Sequence, residues 1–236
     1  MTSHAPLKNR ILEQLSGEEC DELLREGEVV QFPNRQVVCE FAQPLEHVYF
    51  PITSVLSAII ILEDGATIEA AAVGNEGFAA VDLLVNKQTS PYRIIQQIDG
   101  TTLRVPTSIF LSVLNRSPML RDLAERYTLA MLHQAEQNVA CNARHSLEER
   151  MCRWLLSTAD RTERDEFEMT QEFLAEMLGV RRQTVNLTAR LLQNAGLVDC
   201  QRRRFRIADR DAMEQATCEC YRVNRATYDR LLNHAS

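Results

Sequence analysis

No apolar run in this 236-residue chain approaches the roughly 20 residues that a membrane-crossing helix requires. The opening stretch, Met1-Thr2-Ser3-His4-Ala5-Pro6-Leu7-Lys8, lacks the apolar core of an export signal. Both absences point to a cytoplasmic protein with no membrane partner. Catalytic signatures are missing as well. There is no nucleophile elbow, phosphate loop, metal-ligand pair or redox C-x-x-C, so His47, His133, Asp82 and Cys39 do not add up to a catalytic set. An enzyme is not expected. Lysine is nearly absent: Lys8 and Lys87 are the only two, and every other basic residue is arginine. That imbalance reads as composition bias and not as mechanism.

The seven cysteines are an odd number in a chain without an export signal, so reduced thiols are expected. Cys218-Glu219-Cys220 is the one close pair. A C-x-C can hold metal or form a strained disulfide, but no neighbouring partner is evident, so two small residues on a C-terminal helix are expected, and no metal site. Cys20 and Cys39 are the only cysteines in the first 140 residues. An iron–sulfur cluster normally needs four ligands, so none is expected there. His47, His133 and His145 are read as ordinary polar residues and not as haem ligands.

What the chain does have is positive charge in one place. Residues 1–146 hold 11 basic against 18 acidic side chains, and residues 147–236 hold 15 of each. Within the span 181–206, seven arginines face one acid, Asp199. The overall net charge of −7 therefore says less about nucleic acid than this local excess does.

The same region carries the most informative pattern. Thr170 is a candidate N-cap, and Glu172 sits in the first turn, where the helix dipole favours an acid. Phe173, Leu174, Met177 and Leu178 recur at helical spacing, Ala175 is small where helices cross, and Gly179 can take positive φ to end the helix. Val180 plugs the corner. A second helix then runs from about Arg181 to Asn194. Val185, Thr188, Ala189 and Leu192 fall on its inner side. Gln183, Asn186, Leu187 and Arg190 fall outside, with Arg182 at the edge. Arginine suits guanine, Gln or Asn suits adenine, and an exposed leucine suits a thymine methyl. Gly196 stops this helix. The segments around Leu197–Cys200 and Gln201–Ile207 read as a two-stranded wing whose Arg202, Arg203 and Arg204 grip phosphates without reading sequence. With Thr170, Gln171 and Arg181 these residues make the candidate DNA-binding set, and double-stranded DNA the expected partner.

Upstream, the period changes. Residues 7–24 read as short helices with Ser16 as a cap. Strands are expected at 28–32, 36–40, 47–50, 55–62, 67–73, 93–98 and 102–105, with turns at Asp64-Gly65 and Asp99-Gly100. Such spacing suggests a jelly-roll barrel. Residues 106–115 look helical, and Pro118 opens a long helix to about Arg144. Leu120, Leu123, Ala124, Tyr127 and Met131 form an apolar stripe on it, the candidate dimerisation surface. Ser146 with Glu149 makes a capping box for a helix over 147–158, and 161–168 reads as a charged loop. The expected fold class is α+β, with a sensor barrel (1–117), a dimerisation helix and hinge (118–145), and a winged helix-turn-helix with a helical tail (146–236).

This order resembles the Crp–Fnr family of bacterial transcription regulators over nearly the whole chain. The matching pieces are Leu174-Ala175 with Leu178-Gly179-Val180, Arg182-Gln183-Thr184-Val185, and Glu149-Arg150. The resemblance implies a homodimer, a small-molecule or redox sensor in the barrel, a near-palindromic operator, and RNA polymerase as a partner if the protein activates. Cyclic-AMP-binding members carry Gly-Glu for the ribose and an Arg followed by small residues for the phosphate. Here those segments read Glu76-Gly77-Phe78 and Ser90-Pro91-Tyr92-Arg93, and Ala135-Glu136 stand where Thr-Ser reaches the base. Cyclic AMP is therefore not expected, the effector is unknown, and no cofactor is expected. Arg181 replaces the small cap before the recognition helix, and Arg203 stands at the usual wing-turn glycine. A second functional reading is a ligand-binding module that controls a protein partner.

Overall fold

The computed structural model describes residues 8–201 and 203–233. Helix α1 (Gly17–Glu26) opens on a capping box. The Ser16 hydroxyl accepts from the Glu19 amide, and the Glu19 carboxylate accepts from the Ser16 amide at 3.2 Å. Seven strands follow: β1 (Glu28–Gln31), β2 (Val37–Cys39), β3 (His47–Pro51), β4 (Val55–Ile61), β5 (Thr67–Val73), β6 (Arg93–Ile98) and β7 (Thr101–Pro106). They make two antiparallel sheets, ordered β1-β7-β3 and β2-β6-β4-β5. Leu56, Val73 and Ile94 of the second sheet share one core with Val48, Phe50, Leu103 and Val105 of the first. The β4–β5 hairpin turns at Gly65, whose φ is +82°.

The four-stranded sheet is buried on both faces. Val55, Ile59, Ala72, Ile95 and Ile98 point away from the sheet interior and join a second core built with the C-terminal half of the chain. This explains why Val55 to Ile59 of β4, Ser57 apart, reads as an apolar run and not as an alternation.

Helix α2 (Thr107–Arg116) leads to α3 (Pro118–Arg144), which starts with proline at its first position. The Ser117 hydroxyl accepts from the Leu120 amide at 3.0 Å. The structure corrects the expected dimer surface here. Leu120, Leu123, Ala124 and Tyr127 have no exposed surface, and Met131 is half-buried against the same core. Tyr127 stacks at 5.3 Å from Phe78, itself 5.3 Å from Phe110 and 5.5 Å from Phe50. The apolar stripe is used up inside the subunit, because the barrel offers aromatic rings that fit it. Met119, Leu129, Leu132 and Val139 are the apolar side chains α3 leaves exposed.

Helix α4 (Leu147–Thr162) starts on the capping box of Ser146 and Glu149 and runs past its expected end, stopping at Glu163 with φ +52°. The expected charged loop over 161–168 is corrected in part: β8 (Glu166–Glu168) lies within it. Its neighbours are charged, but Phe167 is buried, and its partner is β10 (Arg204–Ile207), far along the chain. Between them come α5 (Gln171–Leu178), α6 (Arg182–Asn194) and β9 (Val198–Gln201). The sheet order β8-β10-β9 gives a three-stranded wing where a two-stranded one was expected. The chain ends with α7 (Arg210–Ala216) and α8 (Cys220–Leu232).

Helix α8 packs along α3. Tyr228 lies 6.2 Å from Tyr127, and its hydroxyl donates to Gln134 at 3.4 Å. This docking corrects another expectation. Cys218 and Cys220 are not without partners, because Cys141 and His145 lie beside them. Among the described residues, no helix is long and apolar enough to cross a membrane.

Candidate nucleic-acid interface

Helix α5 begins where the Thr170 hydroxyl accepts from the Phe173 amide at 3.1 Å. It ends at Gly179, whose φ of +65° lets the chain reverse within two residues. Arg150 donates to the Leu178 carbonyl at 2.6 Å and so satisfies one of the carbonyls left over at that helix end. Phe173, Leu174, Ala175, Met177 and Leu178 are all buried, against Val185, Ala189 and Leu192 of α6. Burying that side of α6 fixes which residues face outward.

Arg181, Arg182, Gln183, Leu187 and Arg190 are exposed. Leu187 is 60% exposed, although an apolar side chain gains nothing from water there. Asn186 is only partly exposed: its amide donates to Gln171 at 2.9 Å, so Gln171 aims it. Gln171 in turn donates to the Cys200 sulfur at 3.5 Å. Thr170, Gln171, Arg182, Asn186 and Arg190 thus line one groove of 420 Å³ between the start of α5, the outer side of α6 and the wing. Gln193, Cys200 and Gln201 line it as well, and sequence reading missed them. Gln193 lies one turn beyond Arg190 and was within reach of the helical spacing; Cys200 and Gln201 arrive through β9, which only the folded wing brings near.

Of the wing arginines, Arg203 and Arg204 are exposed, and Arg202 lies outside the described residues. Arg204 pairs with Glu166 at 3.3 Å, and Arg206 pairs with Asp199. Both are surface pairs, which salt or a phosphate can exchange at little cost. Arg181 occupies the N-cap of α6 without a side-chain cap bond.

The far side of this domain rests on the four-stranded sheet. Arg35 holds both oxygens of Glu176 at 2.9 Å and lies over the Phe173 ring. Arg164 donates to the Thr53 and Asp99 carbonyls. None of these contacts involves the outward side of α6.

The barrel residues that the family resemblance sets against a nucleotide are packed within the protein itself. Glu76 is 5% exposed and accepts from Arg161 at 2.8 Å. Burial works against the Arg161 charge, but the Glu76 carboxylate, with Tyr228 and Glu69, more than offsets it. A Cβ on Gly77 would lie 2.0 Å from the Tyr127 ring, so the ring fills that space. Burial pushes the Tyr127 hydroxyl well above its ordinary pKa, and the group there is neutral. Arg93 is turned to Glu40 at 2.8 Å, and the Ser90 hydroxyl donates to the Tyr92 carbonyl. Glu136 is exposed on α3 and Ala135 half-buried. Asp82, His47 and Cys39 lie in the barrel region, away from the groove beside α6.

Residues 149–216 match the model of the Crp-like helix-turn-helix domain. No curated protein sequence matches the chain. Among solved structures, FixK2 from Bradyrhizobium japonicum is similar at TM-score 0.66 and 16% identity, covering 81% of this chain and 98% of its own. A transcriptional regulator of the crp/fnr family from Eubacterium rectale gives 0.62 and 15%, covering 87% and 96%. The c-di-GMP responsive regulator CLP from Xanthomonas campestris gives 0.59 and 15%, covering 82% and 100%.

Proposed function

We propose that this chain is a transcription regulator of the Crp–Fnr type, which binds a near-palindromic operator as a homodimer and reads it with α6. One observation carries the reading. Arg182, Gln183, Leu187 and Arg190 project from a helix whose opposite side is locked into the core, next to a wing that carries arginines. Arg182, Gln183, Asn186 and Arg190 are assigned to base edges, and Leu187 to a thymine methyl. Thr170, Gln171, Arg181 and the wing arginines 202–204 are assigned to phosphates, where they set position without reading sequence.

The homodimer forms along α3. The surface for it is the exposed stripe of Leu129, Leu132 and Val139, spaced three and seven residues apart, with Glu136 between them. The reading requires a two-fold axis there that sets the two α6 helices about 34 Å apart, one turn of duplex. Selection from random duplexes tests the reading. The expected product is an inverted repeat with half-site centres about 10 base pairs apart. Enrichment of no sequence, at low salt as well as moderate salt, would overturn it.

Regulation is assigned to the barrel side, and not to cyclic AMP. Tyr127 and the Glu76–Arg161 pair take the space and the charge that a cyclic nucleotide would need. Displacing one partner of such a buried pair costs about 3–5 kcal/mol. A cleft of 520 Å³ beside that pair, lined by Arg10, Gln134, Asp160, Arg161 and Tyr228, has the size of a small-molecule site. It lies between the barrel, α3, α4 and α8, so a ligand there acts on all of them. The regulator works in the cytoplasm, where its DNA is. Contact with RNA polymerase would make it an activator, and steric occlusion a repressor.

A further inference from the structure

Three cysteines and a histidine from opposite ends of the DNA-binding half meet at one point. Cys141 lies in the last turn of α3, and His145 caps that helix four residues on, so both project from the same side. Cys218 sits in the turn between α7 and α8, and Cys220 is the first residue of α8. The four ligand atoms all lie within 4.8 Å of one another. The Cys141 and Cys218 sulfurs are 3.6 Å apart, and the Cys220 sulfur is 3.5 Å from His145 Nδ1. The three cysteines are buried and form an isolated cluster.

These separations decide between chemistries. A disulfide needs sulfurs about 2.05 Å apart. A tetrahedral zinc ion, with bonds of about 2.3 Å to sulfur and about 2.0 Å to nitrogen, needs sulfur–sulfur edges of about 3.8 Å and sulfur–nitrogen edges of about 3.5 Å. The Cys141–Cys218 and Cys220–His145 separations match the tetrahedral edges, and the remaining pairs stay within 4.8 Å. A multi-iron cluster places several metal atoms between its thiolates and needs wider spacing than this. Calcium and magnesium take oxygen ligands, which this site lacks.

The surroundings point the same way. With Nδ1 turned to the sulfurs, the other ring nitrogen of His145 lies 3.2 Å from the Glu219 carboxylate. That is the carboxylate–histidine–metal arrangement that fixes a ligand's tautomer and orientation. Gln137 donates to the Cys220 sulfur at 3.1 Å, a bond that favours a thiolate.

We propose that Cys141, His145, Cys218 and Cys220 bind one zinc ion in a closed structural site. Four protein ligands leave no position open for a substrate. All four residues lie outside the 149–216 span of the helix-turn-helix domain, two before it and two after. The ion therefore clasps the ends of that domain together at the joint between α3 and α4, and ties α8 to α3. Metal binding and the fold of this joint are coupled, since the sulfurs must lose their protons and come together at once.

The test uses the full chain, purified under reducing conditions without added metal. Elemental analysis is expected to find close to one zinc per chain. Replacing it with Co(II) is expected to give thiolate-to-cobalt charge transfer and the intense visible bands of a tetrahedral ion. Cys141→Ser and Cys218→Ser are each expected to weaken cobalt binding by more than the roughly 10–100-fold that loss of an outer partner costs. Cys39→Ser, far from the cluster, should leave it unchanged. Glu219→Gln tests the outer partner and should fall within that smaller range. Metal-free wild-type protein that gives no thiolate band with Co(II) would overturn the proposal. So would a Cys141–Cys218 disulfide in reduced preparations, or full zinc in both serine variants. The wild-type measurement stands even if a variant fails to fold, and none of these readouts depends on DNA.

Discussion

Two arginines of the candidate interface differ in what holds them, and that difference predicts how they behave. Arg182 projects from the first turn of α6 into the groove and makes no ion pair among the described residues. Arg204 lies on the wing, paired with Glu166 at 3.3 Å. Arg182→Ala is expected to relax base preference and to cost about 1–3 kcal/mol on the selected operator. Arg204→Ala is expected to weaken all duplexes alike and to reduce the slope of log K against log salt by about one. Titrations at several salt concentrations on specific and scrambled duplexes check both. Identical behaviour of the two variants would reject the division between reading and gripping. These residues were legible in sequence because helical spacing alone sorts them by face. Their partners were not: Gln171 aims Asn186 from fifteen residues away, and only the crossing of α5 and α6 brings them together.

At the level of elements, ends matter more than middles. Gly179 holds φ at +65°, and a Cβ there would meet Ile68 only at ordinary contact distance. Gly179→Ala therefore pays no steric clash with a neighbour. Its expected cost is the left-handed conformation itself, about 1–2 kcal/mol, read as a lowered thermal midpoint with unchanged zinc content. The start of α1 gives a pH test. The Ser117 hydroxyl, and after it the Ser16 side chain and amide, hold the Glu19 carboxyl below its ordinary pKa, against the effect of burial. A depressed carboxylate stabilises the fold above the unfolded value of about 4.3, and that stability is lost as pH falls through the folded value. Glu19→Gln keeps a side chain that can cap, but removes the charge. The wild-type advantage over this variant should be present at neutral pH and vanish below the ordinary glutamate range; melting curves across pH check it. An advantage that persists in acid would show that the charge contributes nothing. The capping box of Ser146 and Glu149 was legible from a four-residue pattern; at α1 the Ser16 cap was read, but its reciprocal Glu19 bond was not. Strand β8 was not legible, since three residues among charges carry no period and gain their hydrogen bonds only from β10.

On the scale of the whole molecule, the long helix serves two surfaces. Its inner stripe is consumed by the barrel and by α8, and its outer stripe of Leu129, Leu132 and Val139 stays exposed, the surface proposed for a second copy. Leu132→Asp with Val139→Asp is expected to yield monomers in sedimentation and to abolish operator binding at concentrations where the wild type saturates. The monomer should melt close to the wild type, because neither side chain belongs to the internal core. Leu123→Asp, in contrast, is expected to unfold the subunit, since it would bury an unpaired charge among Phe78, Phe110 and Tyr127. A dimeric double variant would place the interface elsewhere.

The amino-acid sequence by itself determined the order of the elements, the two crossing helices with their outward arginines, and the strands of the barrel, because each depends on residues within a turn or two of one another. Tertiary structure decided everything that depends on which surface meets which. It turned one side of the four-stranded sheet toward the DNA-binding half and filled the space beside Gly77 with the Tyr127 ring. It left the exposed apolar stripe on the other side of α3. It also brought Cys141 to Cys218 across 77 positions. Apolar spacing shows that a face must be covered, but it carries no label for the partner. Only the folded chain, closing these distances at once, supplies that label.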